Sequence, residues 1–288
     1  MKYTIKDFRK QFPNDAACLA FLFNEQHPDG IECPSCQHKD CFYPILERRC
    51  YSCSWCGHQI SPTAGTIFHK SPTPLTLWFH AIFLMSVSKN GVAAKELERQ
   101  LGVTYKCAWR IAKQIRLLMK EDIGTIGGHV EIDETYIGGV RPGKRGRGAA
   151  GKTAVFGAVE RQGRIKLDVI EQVRAATLMP LVQKTVAPGT EISTDESNSY
   201  NALESLGYTH RTVKHGRNEF VRGKTHTNTI DGFWSQFKRS LSGTHHSVSP
   251  QHLQKYADEF SFRYNHRRDL EPLTSTLLSR ASQPVLGE

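Results

Sequence analysis

A chain of 288 residues is long enough for roughly two domains with separate cores, and 38 Lys+Arg against 28 Asp+Glu give it a formal charge of +10. That surplus favours a polyanionic partner, because phosphate contacts release condensed counterions. A membrane partner is excluded on pattern: the longest apolar stretch, LTLWFHAIFLMSV, is too short to span a bilayer and contains His80.

The opening MKYTIKDFRKQF lacks the apolar core of a signal peptide, so the chain is expected in a reducing, cytoplasmic compartment. Residues 14–24, NDAACLAFLFN, read as a short amphipathic helix capped by Asn14 or Asp15. Six of the eight cysteines follow close together: Cys33, Cys36, Cys41, Cys50, Cys53 and Cys56. A secreted disulfide scaffold would spread them, so the clustering points to metal. Cys33-x2-Cys36 and Cys53-x2-Cys56 have the two-knuckle spacing of a zinc ribbon, each turn giving two thiolates to one tetrahedral site. Four protein ligands leave no open position, so Zn²⁺ here is expected to be structural. Cys50-x2-Cys53 competes as a pair, but Gly57 and HQIS after Cys56 suit the exit of a second knuckle. Cys41 and Cys50 are then spectators. Helix and ribbon together occupy 1–70.

Residues 71–122 read as helical. PTPLTLWFHAIFLMSVS is an apolar helix. After Asn90-Gly91, residues Ala94, Leu97 and Leu101 mark one helix, Gly102-Val103-Thr104 a turn, and Ala108, Ile111 and Ile115 another. That is the rhythm of a helix-turn-helix, with Thr104 placed to cap the second helix. Lys106, Arg110 and Lys113 are the candidate DNA contacts on its exposed side; the plain alternative is a hairpin with a solvated basic face.

From residue 128 the periodicity becomes that of strands, and 128–270 read as one domain with 271–288 as a tail. In HVEIDETYIGG, Val130 and Ile132 alternate with Glu131 and Asp133. A basic glycine-rich stretch follows, with Arg141, Lys144, Arg145, Arg147 and Lys152, expected as a hairpin tip able to lie along a DNA backbone. TAVFGAVE and GRIKLDVIEQV are further strands, 175–186 a helix, TEISTD a fourth strand, SNSYNALESLG a helix, YTHRTV a fifth strand, and two long helices come next. A three-strand meander followed by alternating helices and strands describes an α/β fold of the ribonuclease H-like type, a five-stranded mixed sheet with helices.

Three acids stand out in that frame. Asp133 and Asp195 fall at strand ends, and Asp231 falls on a helix whose apolar stripe is Ile230, Phe233, Trp234, Phe237 and Leu241. Asp231 and Lys238 lie within about 20° of each other on that helix. Asn228 and Asp231 also have the spacing of a capping box, which does not exclude a metal role. Together the acids are suited to holding a pair of divalent metals against a phosphodiester.

The motifs CPSC, CSWC, SPTAGTIFHKSPTPLTLW, EIDETYIGG, STDESNSY, HTNTIDGFWSQFKR and HHSVSPQHLQKYADEFSFRYNHR run in the order of a known family. Over nearly its whole length the chain resembles bacterial insertion-sequence transposases of the DDE type with a zinc ribbon, the ISXO-two-like group. The resemblance implies a ribonuclease H-like catalytic domain, Mg²⁺ or Mn²⁺ as cofactor, and cutting and insertion of a DNA element with inverted-repeat ends. By position, Asp133 and Asp195 match the first two catalytic acids. The third is Glu or Asn in relatives; here NTIDGFW places Asp231 where Glu is usual, about 1.5 Å shorter in reach. Asn228 is the other candidate for that role, and Lys238 matches the family's phosphate-contacting lysine. His226, Arg263 and Arg267 are candidate phosphate contacts, and Tyr264 a packing residue. Double-stranded DNA, as element ends and as target, is the implied partner, with a homodimer or larger assembly at synapsis and a nucleoid-associated location. The competing readings are a catalytically inactive DNA-binding regulator and a ribonuclease H-like nuclease without strand transfer.

Overall fold

The computed structural model describes residues 3–138, 151–213, 221–222 and 225–285. Two compact units divide the chain, Met1–Leu118 with Asp269–Glu288, and Met119–Arg268.

The first unit opens with α1 (Ile5–Gln11) and α2 (Asp15–Gln26), the latter capped by Asn14 Oδ1 accepting from Ala17 N at 2.9 Å. Three short antiparallel strands follow, β1 (Phe42–Ile45), β2 (Cys50–Cys53) and β3 (Gln59–Ile60). Next is α3 (Leu75–Val87), buried at Trp78, Phe79, Ile82 and Met85 as its nearly continuous apolar sequence requires. Its N-terminus has no capping side chain of its own. Asp15 supplies one, accepting the N–H groups of Leu75 at 3.0 Å and Thr76 at 2.9 Å. In α4 (Ala94–Leu101) the apolar stripe is Leu97 and Leu101, and Gly102 ends the helix at φ 64°. Thr104 Oγ1 then caps α5 (Tyr105–Leu117) through Cys107 N at 3.3 Å, as its position before the apolar stripe predicts.

In the second unit, β4 (His129–Ile137), β5 (Thr153–Glu160) and β6 (Ile165–Ile170) form an antiparallel meander. After α6 (Ala175–Thr185), strands β7 (Glu191–Thr194) and β8 (Thr209–Thr212) add in parallel, giving the order β6-β5-β4-β7-β8. A small hairpin, β9 (Val221–Arg222) with β10 (Thr225–His226), leads into α7 (Asn228–Ser240) and α8 (Pro250–Asn265). The sheet is covered on both faces. On one, Leu178 and Val182 of α6 pack with Val130, Ile132, Phe156 and Ile192. On the other, Ile230, Trp234 and Phe237 of α7 and Phe260 of α8 pack with Val155, Val159 and Leu167. Successive residues of β5 therefore enter opposite cores, and TAVFGAVE is an unbroken small-and-apolar run for that reason.

Two expectations need correction. SNSYNALESLG is not an α-helix but two short 3-10 turns, Asn198–Tyr200 and Glu204–Leu206, ended by Gly207 at φ 85°. Its buried anchors, Tyr200 and Leu203, are three residues apart and line up on a three-residue turn. The stretch 271–288 contains α9 (Leu273–Ser282), which returns to the first unit and packs on α3. Leu277, Leu278 and Ala281 supply its buried face, and the hydroxyls of Ser86 and Thr274 meet at 2.6 Å between the helices.

Candidate active site and metal sites

The parallel register pairs Glu131 of β4 with Ser193 of β7. Two residues further along each chain, Asp133, in the middle of β4 rather than at the strand end expected, comes level with Asp195, just past the end of β7. Asp195 Oδ1 accepts from Ser197 N at 3.0 Å, an Asx turn that fixes the carboxylate as the chain leaves the sheet. Asp231 lies in the first turn of α7, exposed, its Oδ2 accepting from Thr227 Oγ1 at 3.0 Å. Burial, then repulsion from Glu134, Asp231 and Asp195, pushes the Asp133 carboxyl up to about 7. The three acids therefore share one electrostatic field. All-oxygen donors crowded in this way suit a hard divalent cation, which would relieve the repulsion. Among the described residues, donor atoms of three or more such groups lie mutually within 4.8 Å only in the cysteine cluster, so the acids are set more openly than the ligands of a closed site.

The expected capping box at α7 does not form. Asn228 is the first helical residue, exposed, one turn before Asp231, and Thr227 is the N-cap position without a side-chain cap bond. The N–H groups of Thr229 and Ile230 go instead to Glu131, which sequence alternation had pointed outward. Lys238 is exposed in the last turn of the helix. On the opposite face of β4, the fully buried Tyr200 donates its hydroxyl to Glu134 Oε1. Glu131, Glu134 and Tyr200 carry no local sequence signal of these roles.

The cysteine quartet is Cys33, Cys36, Cys53 and Cys56, the set expected from spacing. The two knuckles repeat each other: Cys33 N donates to His38 O and Cys53 N to His58 O, both at 2.9 Å. Gln37 at φ 62° and Gly57 at φ 73° occupy equivalent turns. Cys53 is thus the counterpart of Cys33, which excludes Cys50–Cys53 as the second pair; Cys50 is buried with its thiol towards Gln59 Oε1 at 3.8 Å. Cys41 is closer to the centre than a spectator, its Sγ 3.2 Å from that of Cys53. Desolvation and the Cys53 neighbour push Cys41 up to about 11. Against desolvation, the amides of Cys56 and Trp55 and the neighbouring thiols hold Cys53 down at about 6, and a thiolate is what zinc binds.

The basic candidates divide. Lys106 is exposed on α5. Lys113 is half-buried with Nζ 6.0 Å from the Trp109 ring centre. Arg110 turns inward, donating to Ser71 Oγ at 2.9 Å and lying over the Trp78 ring at 5.4 Å. Arg141, Lys144, Arg145 and Arg147 lie outside the described residues. Arg263 is not available as a DNA clamp: its side chain is 9% exposed and pairs at 2.7 Å with the fully buried Glu259. Arg267 lies over the Tyr264 ring at 3.7 Å, and Tyr264 packs against Phe233.

A zinc ribbon followed by a five-stranded mixed sheet of order β6-β5-β4-β7-β8 with helices on both faces is the architecture of a ribonuclease H-like α/β protein. Residues 125–265 match the family model of the ISXO2-like transposase domain, and residues 13–59 match that of the transposase zinc-ribbon domain. The chain belongs to the ISXO2-like transposases. An uncharacterized protein in the transposable element ISH50 of Halobacterium salinarum is 27% identical, the match covering 88% of this chain and 92% of that one. An uncharacterized transposase-like protein of Haemophilus influenzae is 29% identical over 97 residues, 34% of this chain and 77% of its own. Among solved structures, a pre-cleavage Mos1 transpososome covers 71% of this chain and 79% of that chain at 15% identity, with a TM-score of 0.26. Among the described residues, no helix is long and apolar enough to cross a membrane.

Proposed function

We propose that this chain is a metal-dependent DNA transposase that frees 3′-hydroxyls at the ends of its element and joins them to target DNA. The observation that carries the reading is the β4–β7 register, which sets Asp133 and Asp195 side by side, with Asp231 close enough to act on the Asp133 charge. Asp133, Asp195 and Asp231 would hold Mg²⁺ or Mn²⁺; when bound, such ions neutralise the phosphodiester and lower the pKa of an attacking hydroxyl. Asp231 is favoured over Asn228 as third ligand because it brings a carboxylate, the donor a hard divalent cation prefers, and its charge reaches Asp133.

The chain's own basic groups would orient DNA. Lys238, seven residues after Asp231 on α7, would pair with a phosphate beside the scissile bond. Lys106 and Lys113 on α5 would hold the backbone of the element end, with Arg141, Lys144, Arg145 and Arg147 adding charge. In the first step water attacks phosphorus and the 3′-oxygen leaves with a proton. In the second, that hydroxyl attacks a target phosphodiester and displaces its 3′-oxygen, so one ester bond replaces another. Synapsis of two ends calls for at least a homodimer, acting in the cytoplasm on nucleoid DNA.

The test is cleavage and joining of labelled DNA bearing the element's own ends, in Mg²⁺ or Mn²⁺, with Asp133→Ala, Asp195→Ala, Asp231→Ala and Asn228→Ala. Joined products lost in the three aspartate variants and kept in Asn228→Ala are expected. Hydrolysis without joining would identify a nuclease, and end binding without chemistry an inactive regulator.

A further inference from the structure

Glu131 is a buried charge that the metal reading leaves unused. It is 0% exposed, and its position in β4 is two residues before Asp133, on the same face of the sheet. Its oxygens are fully engaged. Arg161 Nε donates to Oε1 at 2.7 Å and Thr229 Oγ1 to the same oxygen at 2.9 Å. The backbone N–H groups of Thr229 and Ile230 donate to Oε2 at 2.8 and 3.1 Å. His226 Nδ1 lies 3.1 Å from Oε1, within ion-pair range but misaligned for a hydrogen bond. Arg161 in turn donates through Nη2 to His226 O at 2.9 Å, tying the chain just before α7 to the same carboxylate.

A helix N-terminus leaves N–H groups without partners, and a carboxylate there is favoured by the helix dipole and by charge-assisted hydrogen bonds. A local Ser, Thr or Asp would satisfy them equally well. Here the acceptor comes from the central strand, at the price of burying a carboxylate that only a full set of partners can compensate. What a distant acceptor adds is position: it fixes the first turn of α7 relative to β4. Asp231 is the next residue after Ile230. A second feature seats the same turn. A Cβ on Gly157, the cross-strand partner of Asp133, would lie 2.6 Å from the Trp234 ring and 2.9 Å from Ile230 Cδ1. The bare glycine lets α7 lie low on the sheet, as the short reach of an aspartate requires.

We propose that Glu131 is a positioning residue: its carboxylate latches the N-terminus of α7 to β4 and so sets the distance from Asp231 to Asp133 and Asp195. The inference rests on the metal-dependent reading above. Its role is to hold the third ligand, not to touch metal or DNA.

The experiment uses the full zinc-loaded chain and two variants. Glu131→Gln keeps the shape but replaces one acceptor oxygen with a donor, and Thr229→Ala removes one contact while leaving the charge paired. Mn²⁺ binding is read by loss of the free-ion electron paramagnetic resonance signal, without DNA. Thermal melting without Mn²⁺ and metal-free binding of element-end DNA serve as controls. Glu131→Gln should weaken Mn²⁺ binding about 10–100-fold, as loss of a group that orients a ligand does, and raise the metal midpoint for end cleavage by a similar factor. Thr229→Ala should shift both the same way by less, with melting and DNA binding retained. If Glu131→Gln does not fold, Thr229→Ala decides. Wild-type Mn²⁺ affinity in the folded variants overturns the latch and leaves the transposase reading intact. A wild-type chain that binds no Mn²⁺ and cuts no end overturns both.

Discussion

Asp133 and Gly157 are cross-strand partners in β4 and β5, and the space a side chain would take at Gly157 is filled by Trp234 and Ile230 of α7. The acid and the helix carrying Asp231 thus meet over a position with no Cβ. A methyl group there would have to displace buried aromatic ring atoms at 2.6 and 2.8 Å. Gly157→Ala should cost about 1–3 kcal/mol of stability, typical of overpacking. Cleavage should fall further than melting predicts, because the displaced helix carries Asp231, the proposed third ligand. Trp234→Phe in the same chain should restore part of both, read by melting temperature and end cleavage side by side.

The repeated knuckles make the zinc assignment testable residue by residue. Cys33→Ser, Cys36→Ser, Cys53→Ser or Cys56→Ser should each lower zinc content well below one ion per chain. Cys50→Ser should keep the ion, its thiol being directed at Gln59. Cys41→Ser should also keep it, despite the 3.2 Å approach of its thiol to Cys53, because the four cysteines of the two knuckles already fill a tetrahedral site. Metal analysis after gel filtration distinguishes these outcomes; zinc loss in Cys41→Ser alone would make it a ligand in exchange with its neighbours.

The zinc knuckles were legible in sequence because each half-site is local and CxxC spacing dictates the turn. The strand meander was legible because its strands are short runs bounded by turn residues. Glu131 was not. Alternation gives one face of a strand to polar residues, but this sheet has helices on both faces, so the polar face at Glu131 is interior. The NTID pattern of a capping box was equally misleading at α7. An acceptor almost a hundred residues upstream satisfied the same N–H groups, and only the tertiary fold brings it there. Gly157 and Arg161 belong to that class too: their roles depend on register and docking, which no local window contains.

Asp258 on α8 gives a pH dependence with a definite sign. Burial first, with repulsion from Asp168, raises it from 3.8 to about 6, against the pull of Gln254, Lys120 and Lys255. A carboxyl whose folded value lies above its unfolded one binds its proton more tightly in the folded state. Its contribution is therefore most favourable below about 4 and is lost as pH rises through about 6, on the order of 1–3 kcal/mol. Asp258→Asn should melt at a higher temperature than wild type at pH 7, and the difference should shrink towards pH 4. A difference constant across that range would remove burial as the cause.

Arg263 and Glu259 form an ion pair one turn apart on α8, with the carboxylate fully buried and the guanidinium nearly so. Charges this deep are retained only when paired, and removing one partner leaves the other buried with less to compensate its charge. Arg263→Ala should therefore destabilise the second unit by about 3–5 kcal/mol, while Glu259→Gln with Arg263→Met, which removes both charges, should recover much of the loss. A phosphate-contacting arginine predicts the opposite pattern: a near-normal melt and end-DNA affinity that falls with a shallower salt dependence. Melting temperature and salt-dependent binding on the same variants separate a core pair from a DNA clamp, and the core pair is expected.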